Sequence, residues 1–397
     1  MRQLLAGIAA LAFAAPPRAE VAFFPIPEID TAPHSGVTLG VIPTFLTINA
    51  DQKVDRIVAP DVIHSQYFGW GSRARVFAFP SADTEWSLIA GMKQHVEREF
   101  DARYASGLTR AGRYSWSAEA IYDRSGVTRF YGLGNQTRRA DETAYVDEQS
   151  RIEAALGVNF SHALQLSYMT RLAYVDVQRG AIPGVPSIEP RYAGVPGVGR
   201  ERELQQRVVL ARDTRDSAVI PHQGGRLAVY GGFAAHGLGG DAAYAYVGGE
   251  ARYYWPVGTA ATFAAHGSLR YMPPSAHAPF WALSSLGGER SVLAEREPLR
   301  AYGDDRFIDR NRSAAGIELR MRIAEFEAFS THLGLEIAPF VDAGKVYARV
   351  GESPFSRLHT AWGVGFRGLA SPSVVGYVDI GFGRERAAVF SGINYPF

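Results

Sequence analysis

The feature that most limits how this 397-residue chain can fold is repeated alternation of apolar and polar side chains. In residues 317–323, IELRMRI, aliphatic side chains occupy the odd positions and charged side chains the even positions. Such period-two alternation predicts a β-strand with one apolar and one polar face. We identify sixteen segments of this kind, and most are roughly 10–17 residues long, whereas globular strands average about 5–6 residues.

These segments predict an all-β transmembrane antiparallel β-barrel of sixteen strands. Strands of this length suit a tilted crossing of an apolar band about 25 Å tall, and bacterial outer-membrane barrels have an even strand number. The predicted strands are residues 37–49, 53–65, 70–81, 84–98, 112–124, 145–160, 162–179, 200–214, 224–238, 240–256, 258–273, 311–326, 332–349, 357–370, 373–383 and 387–397.

The lengths of the links between strands agree with this topology. Long external loops in such barrels follow odd-numbered strands when the chain starts on the periplasmic side, and short turns follow even-numbered strands. The longest links, residues 125–144, 180–199 and 274–310, follow the fifth, seventh and eleventh predicted strands. The early region, 50–112, is where a strand is most easily missed.

The N-terminal residues have the order of regions found in a secretory signal. Arg2 is followed by the apolar stretch 4–14 and then by small residues, so we predict a signal peptide over 1–19. We interpret residues 20–36, which are rich in Pro, as a periplasmic N-terminal tail, and 37–397 as the barrel domain. A short buried helix is the alternative for the first segment.

Composition excludes several function classes. The net charge of +1 gives no electrostatic reason for nucleic-acid binding. The chain contains no Cys, which excludes disulfides, Cys-based zinc sites and an acylated Cys anchor.

Motifs for enzyme chemistry are weak, and we expect no cofactor, no metal and no catalytic residues. Gly363–Gly368 matches G-x-G-x-x-G, but a turn follows it where a dinucleotide site requires a helix. The segment HVERE, 95–99, is not H-E-x-x-H. Asp304, Asp305 and Asp309 could bind a divalent ion, although a solvated acidic loop is the simpler interpretation.

The chain ends in an apolar strand, VFSGINYPF, 389–397, in which Val389, Ile393, Tyr395 and Phe397 share one parity. An apolar strand with this pattern would be a sticky edge in water. It is compatible with a strand paired on both sides with one face in lipid, so we expect these four side chains on the lipid face.

Five stretches resemble the BamA/TamA superfamily of outer-membrane assembly barrels, also called the bacterial surface antigen family. LRAYGDDRFIDRN, 299–311, is similar to the family's (V/L)RG(F/Y) loop. FYGLGN, ARDTRD, FVDAGKV and GINYPF resemble further family motifs in the expected order, at residues 130–135, 211–216, 340–346 and 392–397.

The resemblance implies that the long loop folds back into the lumen, where Arg300 meets Asp342 and Glu318. Tyr302 belongs to the same loop motif. It also implies that Gly392, Tyr395 and Phe397 form a C-terminal assembly signal. Ala301 replaces the family's usual Gly, and because Ala tolerates positive φ poorly, the loop tip could differ.

The resemblance further implies a location in the bacterial outer membrane and a role in insertion or translocation of proteins. Family members with this role normally carry periplasmic POTRA domains, and residues 20–36 are too few to hold one, so we expect a barrel-only member without POTRA domains. Its expected partners are outer-membrane lipid, the barrel assembly machinery during biogenesis, client proteins and separate periplasmic proteins. A passive pore for small polar solutes, a lipid-acting enzyme and a structural surface barrel stay open as alternatives.

Overall fold

The architecture is described from a computed structural model covering residues 20–30, 36–49, 54–275, 277–288, 296–328, 331–370, 374–393 and 395. The predicted signal peptide, 1–19, and Phe397 lie outside the described residues.

The first half of the chain forms twelve strands and one short helix, most of them long antiparallel strands. The strands are β1 Glu20–Asp30, β2 Thr38–Ile48, β3 Val54–Val58, β4 Asp61–Ser65, β5 Gly69–Ser81, β6 Thr84–Lys93, β7 Arg98–Ser106, β8 Tyr114–Ser125, β9 Arg129–Phe130, β10 Thr143–Asn159, β11 Leu164–Arg179 and β12 Gly199–Asp213. The helix is α1 Ile188–Tyr192, and a 3₁₀ turn spans Arg139–Asp141.

The second half continues the same pattern. Its strands are β13 Gly224–Ala234, β14 Tyr244–Val257, β15 Ala261–Tyr271, β16 Ser284–Leu286, β17 Arg296–Glu297, β18 Phe307–Asp309, β19 Asn311–Ala328, β20 Thr331–Tyr347, β21 His359–Ala370, β22 Val374–Gly383 and β23 Ala387–Ile393. Further 3₁₀ turns span His236–Leu238 and Phe280–Ala282. No helix in the described part of the chain is long and apolar enough to cross a membrane.

The wall is one antiparallel sheet in which each strand pairs with the next wall strand along the chain. β3 and β4 both pair with β2 and β5, so they occupy one position in the wall. β8 and β9 both pair with β10 and share another position. β23 lies beside β1, where the Ser391 hydroxyl donates to the Ile29 carbonyl at 2.8 Å, so the first and last strands are neighbours.

The predicted fold class is confirmed, but the described residues form eighteen wall positions and not sixteen. Each of the sixteen predicted strands has a counterpart, and β1 and β7 are additional. β1 replaces the expected tail over much of 20–36, because Glu20–Asp30 pairs along its whole length with β2 in spite of its prolines. β7 lies in the uncertain early region and pairs with both β6 and β8.

The two additional strands both precede the long links, so the long links still follow odd-numbered strands of the wall. The links at 126–142, 180–198 and 272–310 still follow odd-numbered wall positions, so they lie at one end of the barrel. We call this the long-loop end and the opposite end, which carries links such as 82–83 and 258–260, the short-turn end.

Apolar side chains face outward and charged side chains face the lumen. In β19, Ile317 and Ile323 are 45% and 61% exposed, whereas Glu318 and Arg320 are 1% and 2% exposed. The described residues of the link 272–310 fold into the lumen, where β16 pairs with β17 and β18. Its apolar residues pack on Ala314, Val346 and Ala361 of the inner wall.

Candidate functional site

The inserted loop, defined here as residues 296–310, approaches the inner wall at a point where β22 carries glycine. A Cβ atom built on Gly381 would lie 1.4 Å from the Arg300 carbonyl oxygen. One built on Gly383 would lie 2.9 Å from the Ala301 Cβ. At position 381 only glycine leaves room for the loop backbone to lie directly against the sheet, whereas a small side chain at position 383 would require only a slight shift of loop side chains.

Arg300 makes a two-pronged contact with Asp342 of β20. Its Nε donates to Asp342 Oδ2 at 2.9 Å and its Nη2 donates to Oδ1 at 2.8 Å. The Arg300 backbone N–H donates to the same carboxylate at 3.2 Å. The planar fork of a guanidinium matches a carboxylate in this geometry, which fixes orientation as well as charge.

The remaining guanidinium nitrogen of Arg300 reaches two more strands. Nη1 donates to Glu318 Oε2 of β19 at 3.0 Å and to Asp379 Oδ2 of β22 at 3.1 Å. The guanidinium carbon lies 3.7 Å from the centroid of the Phe340 ring. One loop side chain therefore bonds to three wall strands and stacks on an aromatic ring.

Two further arginines complete what we call the lumen charge cluster. Arg320 Nε donates to Glu318 Oε1 at 2.5 Å, Arg367 donates to Asp379, and Arg367 Nη2 lies 3.5 Å from Glu318 Oε2. The cluster consists of three guanidiniums and three carboxylates, all of them buried: Arg300, Arg320, Arg367, Glu318, Asp342 and Asp379.

The cluster has equal numbers of cations and anions, so its buried charges can neutralise one another. Buried charges are tolerated when they are paired and hydrogen-bonded, and removal of one partner is costly. Each carboxylate bonds to at least one guanidinium. The arrangement suits a structural connection between loop and wall.

Sequence reasoning named Arg300, Glu318 and Asp342 as site residues and missed Asp379, Arg320 and Arg367. Asp379 is separated from Arg300 by 79 positions along the chain. The one available signal was the alternation in 374–383, which places Asp379 on the lumen face as the only charged residue of that strand. Cross-strand register then brings Asp379 opposite Gly365 and next to Arg367.

Tyr302 and Arg306 anchor the loop at the long-loop end. The Tyr302 ring is 1% exposed and lies 5.5 Å from the Phe307 ring. Arg306 donates from Nε to Glu385 Oε1 at 2.9 Å and from Nη2 to the Thr137 carbonyl at 2.9 Å. The Gly134 N–H donates to the Ile308 carbonyl at 2.8 Å, so the FYGLGN loop and the inserted loop are in direct contact.

The Ala301 substitution has no conformational consequence of the kind expected from sequence. Ala301 does not have a positive φ angle. In this loop the residue with a positive φ is Asp305, at 52°. Ala301 is fully buried, and its methyl group packs towards Gly383.

Tyr395 departs from the alternation of the terminal strand. Val389 pairs with Ile380 and faces outward, but β23 ends at Ile393 and the Tyr395 side chain lies in the lumen. Its hydroxyl donates to Glu336 Oε2 at 2.7 Å, and its ring centroid is 3.6 Å from the Arg320 guanidinium carbon. Gly392 lies opposite Tyr377, whose ring occupies the space that a side chain would need.

The acidic residues and the G-x-G-x-x-G segment form no metal or cofactor site in the described part of the chain. Within the described ranges, no group of three or more His, Asp or Glu side chains is arranged to hold a metal ion. Gly363 and Gly365 lie inside β21 and precede no helix. A Cβ atom on Gly365 would lie 2.3 Å from Asp379 Oδ1, so this glycine makes room for the charge cluster.

Comparison with known proteins places the chain among outer-membrane barrels. The model of the Omp85 superfamily domain matches residues 68–375. No curated protein sequence matches the chain.

Two solved structures share the fold at low sequence identity. A BamA structure from Haemophilus ducreyi lacking POTRA domains 1–3 aligns with a TM-score of 0.54 and 12% identity, covering 94% of this chain and 74% of that chain. CdiB from Escherichia coli aligns with a TM-score of 0.50 and 12% identity, covering 96% of this chain and 62% of that chain.

Proposed function

Since this chain belongs to the Omp85 superfamily of bacterial outer-membrane barrels, we propose that it inserts or translocates proteins at the outer membrane through a seam between β1 and β23. The family membership supports an outer-membrane barrel of this type, and the specific activity is our inference. The observation that carries it is the construction of the seam.

The seam has fewer backbone connections than any other strand boundary among the described residues. Every other pair of neighbouring wall strands is joined by a continuous or bulged ladder. No ladder pair joins the described residues of β1 and β23, which are connected there by a hydrogen bond from the Ser391 hydroxyl to the Ile29 carbonyl.

Two prolines in β1 weaken the seam further. Because the Ile29 carbonyl points toward β23, the backbone polar groups of residues two and four positions earlier point the same way. Those residues are Pro27 and Pro25, which have no N–H to donate. Proline inside a sheet is tolerated only at edges and bulges, so β1 is built as an edge strand facing β23.

An opened seam would expose unpaired backbone N–H and C=O groups along the edges of β1 and β23. A client strand could pair with either edge by β-augmentation, since backbone hydrogen bonds give affinity without demanding a particular sequence. The lumen charge cluster would keep the neighbouring wall rigid during opening, because Arg300 connects β19, β20 and β22, and β22 is the strand paired with β23.

Disulfide locking of the seam in living cells tests the proposal. The Ile29→Cys/Ser391→Cys variant would lock the seam in a chain that otherwise lacks Cys. The matched control, Val378→Cys/Ser391→Cys, joins two residues that are already ladder partners. Both variants would be expressed in cells depleted of the native protein, and every other outer-membrane protein would be quantified.

We expect the seam-locked variant to lower the abundance of a subset of outer-membrane proteins and a reductant to restore it. The control variant should support normal levels in both conditions. Normal levels with the seam fully oxidised would refute the proposed mechanism. Unchanged levels on depletion itself would refute the assembly role.

We also propose that the barrel assembly machinery recognises the C-terminal residues before this chain folds, and that client proteins or separate periplasmic proteins are its later partners. Tyr395 supports the first step, because an aromatic side chain that ends in the lumen is accessible only before the barrel closes. Co-purification of the assembly machinery with a Tyr395→Ala chain, compared with the unaltered chain, measures this step, and equal recovery would contradict it.

A further inference from the structure

The lumen carries an apolar patch at its short-turn end. We define the lumen apolar patch as Ile26, Ile42, Leu46, Ile57, Phe77 and Phe79, which pack together in one cluster. These side chains face inward because they share parity with lumen residues of their own strands. Ile26 lies two positions before Glu28, and Phe77 two positions after Arg75; Arg73, on the same face, bonds to Glu28 at 2.8 Å.

Such a patch is unusual in the interior of an outer-membrane barrel, where polar side chains line the lumen. Ile42, Leu46 and Ile57 are buried within the patch. Apolar surface that does face water is a candidate binding site. Ile26, Phe77 and Phe79 are only partly buried by the other members of the cluster, so part of each side chain borders the cavity.

Arginines line the opposite wall of the same cavity. The cavity has a volume of 1910 Å³ and is bordered by the lumen apolar patch and by the arginine wall, defined here as Arg207, Arg215, Arg226 and Arg252 on or beside β12–β14. Phe79 lies close to the end of β5 and Arg226 close to the start of β13, and both of these strand ends are at the short-turn end.

Arginines outnumber carboxylates among the residues that border the cavity on the side of the arginine wall. Arg226 and Arg252 are direct cross-strand partners, and both contact the same carboxylate, Glu250. Asp213 is bonded by Arg215 through two nitrogens, at 2.9 and 2.8 Å. The cavity lining within residues 207–254 thus contains four arginines and two carboxylates. Like charges placed directly opposite in a ladder are destabilising, so an added anion would be stabilising here.

We infer that this end of the lumen binds a phosphate-bearing lipid, with acyl chains on the lumen apolar patch and the phosphate on the arginine wall. An acyl chain suits the patch because it has no polar atoms to satisfy. A peptide would place backbone amides against side chains that offer no donor or acceptor, which is unfavourable. The inference goes beyond the proposed insertion function and does not require the seam to open.

Photo-crosslinking in cells grown with ³²P-phosphate tests this site. The photoreactive residue p-benzoylphenylalanine would replace Phe77, and the barrel would be washed extensively in detergent after irradiation. The comparison position is Phe100, which is 40% exposed on the lipid face and should react with bulk lipid in every background. We expect a labelled lipid adduct at both positions.

The double variant Arg226→Gln/Arg252→Gln should lower the lumen adduct at Phe77 about tenfold, as expected when one favourable charged contact is lost. It should leave the adduct at Phe100 unchanged. Arg252→Gln alone keeps the Arg226–Glu250 pair and provides a milder variant if the double variant folds poorly, which heat-modifiable gel mobility would show.

Three results would overturn the inference. The first is no ³²P adduct at Phe77 while Phe100 is labelled. The second is a polypeptide adduct at Phe77 in place of lipid. The third is a lipid adduct at Phe77 that is insensitive to both arginine variants in folded protein, because the phosphate would then lie elsewhere.

Discussion

Replacement of Arg300 by Ala removes the one cation that the inserted loop contributes to the lumen charge cluster. The guanidinium makes at least four side-chain hydrogen bonds to three carboxylates, and it is fully buried. Three carboxylates would then face the two remaining guanidiniums of Arg320 and Arg367, which leaves one buried negative charge without compensation.

The expected loss of stability is about 3–5 kcal/mol, the range for removal of one partner from a buried ion pair. Summing four hydrogen bonds to charged groups at about 1.5–3 kcal/mol each would give a larger value. That sum overstates the effect, because Arg320 and Arg367 already contact Glu318 and Asp379 and can compensate in part.

Two assays would measure this change. Urea-induced unfolding of the protein refolded into phosphatidylcholine vesicles reports the free energy of unfolding. Trypsin cleavage after Arg306 reports release of the loop, because Arg306 is 2% exposed and should be protected while the loop is docked. The control is Arg138→Ala, an exposed arginine that pairs with Asp141 at 3.3 Å and should change neither measurement.

A double variant tests whether the loss of stability comes from the unbalanced charge in the lumen charge cluster. Arg300→Met/Asp342→Leu removes one cation and one anion, so the cluster keeps equal numbers of both. We expect the double variant to be less destabilised than the sum of the two single variants, with a coupling of about 0.5–3 kcal/mol. Unchanged stability and unchanged trypsin resistance in Arg300→Ala would refute the role of the cluster in holding the loop.

Three further outcomes follow from the same geometry. Gly381→Val should displace the loop and increase cleavage after Arg306, whereas Gly368→Val should have no effect, since a Cβ atom there meets no atom within 4 Å. Tyr395→Phe loses the hydrogen bond to Glu336 and should lower the free energy of unfolding by about 1.5–3 kcal/mol in the urea assay. Tyr395→Ala also loses the contact with Arg320, so it should lower the free energy of unfolding further. Equal stability of the unaltered protein and both variants would contradict this prediction. In planar bilayers, the unaltered barrel should pass little steady current and Arg300→Ala should pass more, and equal currents would argue against a lumen closed by the loop.

Alternation predicted the architecture well because the two faces of each strand meet solvents of opposite polarity. Ile317 and Glu318 were assigned to opposite faces from sequence, and the structure places them so. The same reasoning failed for a strand whose sequence does not alternate clearly between apolar and polar residues. β1 was missed because Pro25 and Pro27 indicate an irregular segment, although proline is compatible with an edge strand at a seam.

The candidate site was only partly predictable, since its remaining members depend on strand register. Arg300 and Asp342 were found through a resemblance between motifs. Asp379 joins them because β22 is aligned so that Gly381 faces the loop backbone, and no local pattern in the sequence fixes that alignment. Tyr395 was assigned to the lipid face by parity, but its ring lies in the lumen on Arg320, beyond the end of β23.

A disulfide between the loop and the wall tests most directly whether the loop that carries Arg300 is docked inside the barrel. The Cβ of Ala301 and a Cβ built on Gly383 are 2.9 Å apart, so a shift of about 1 Å would reach the usual disulfide separation near 3.8 Å. In a chain without Cys, Ala301→Cys/Gly383→Cys should form a bond in the outer membrane that changes gel mobility after denaturation, whereas Ala301→Cys/Ser391→Cys should not. Free thiols in the first variant, both labelled by a water-soluble maleimide, would contradict the account.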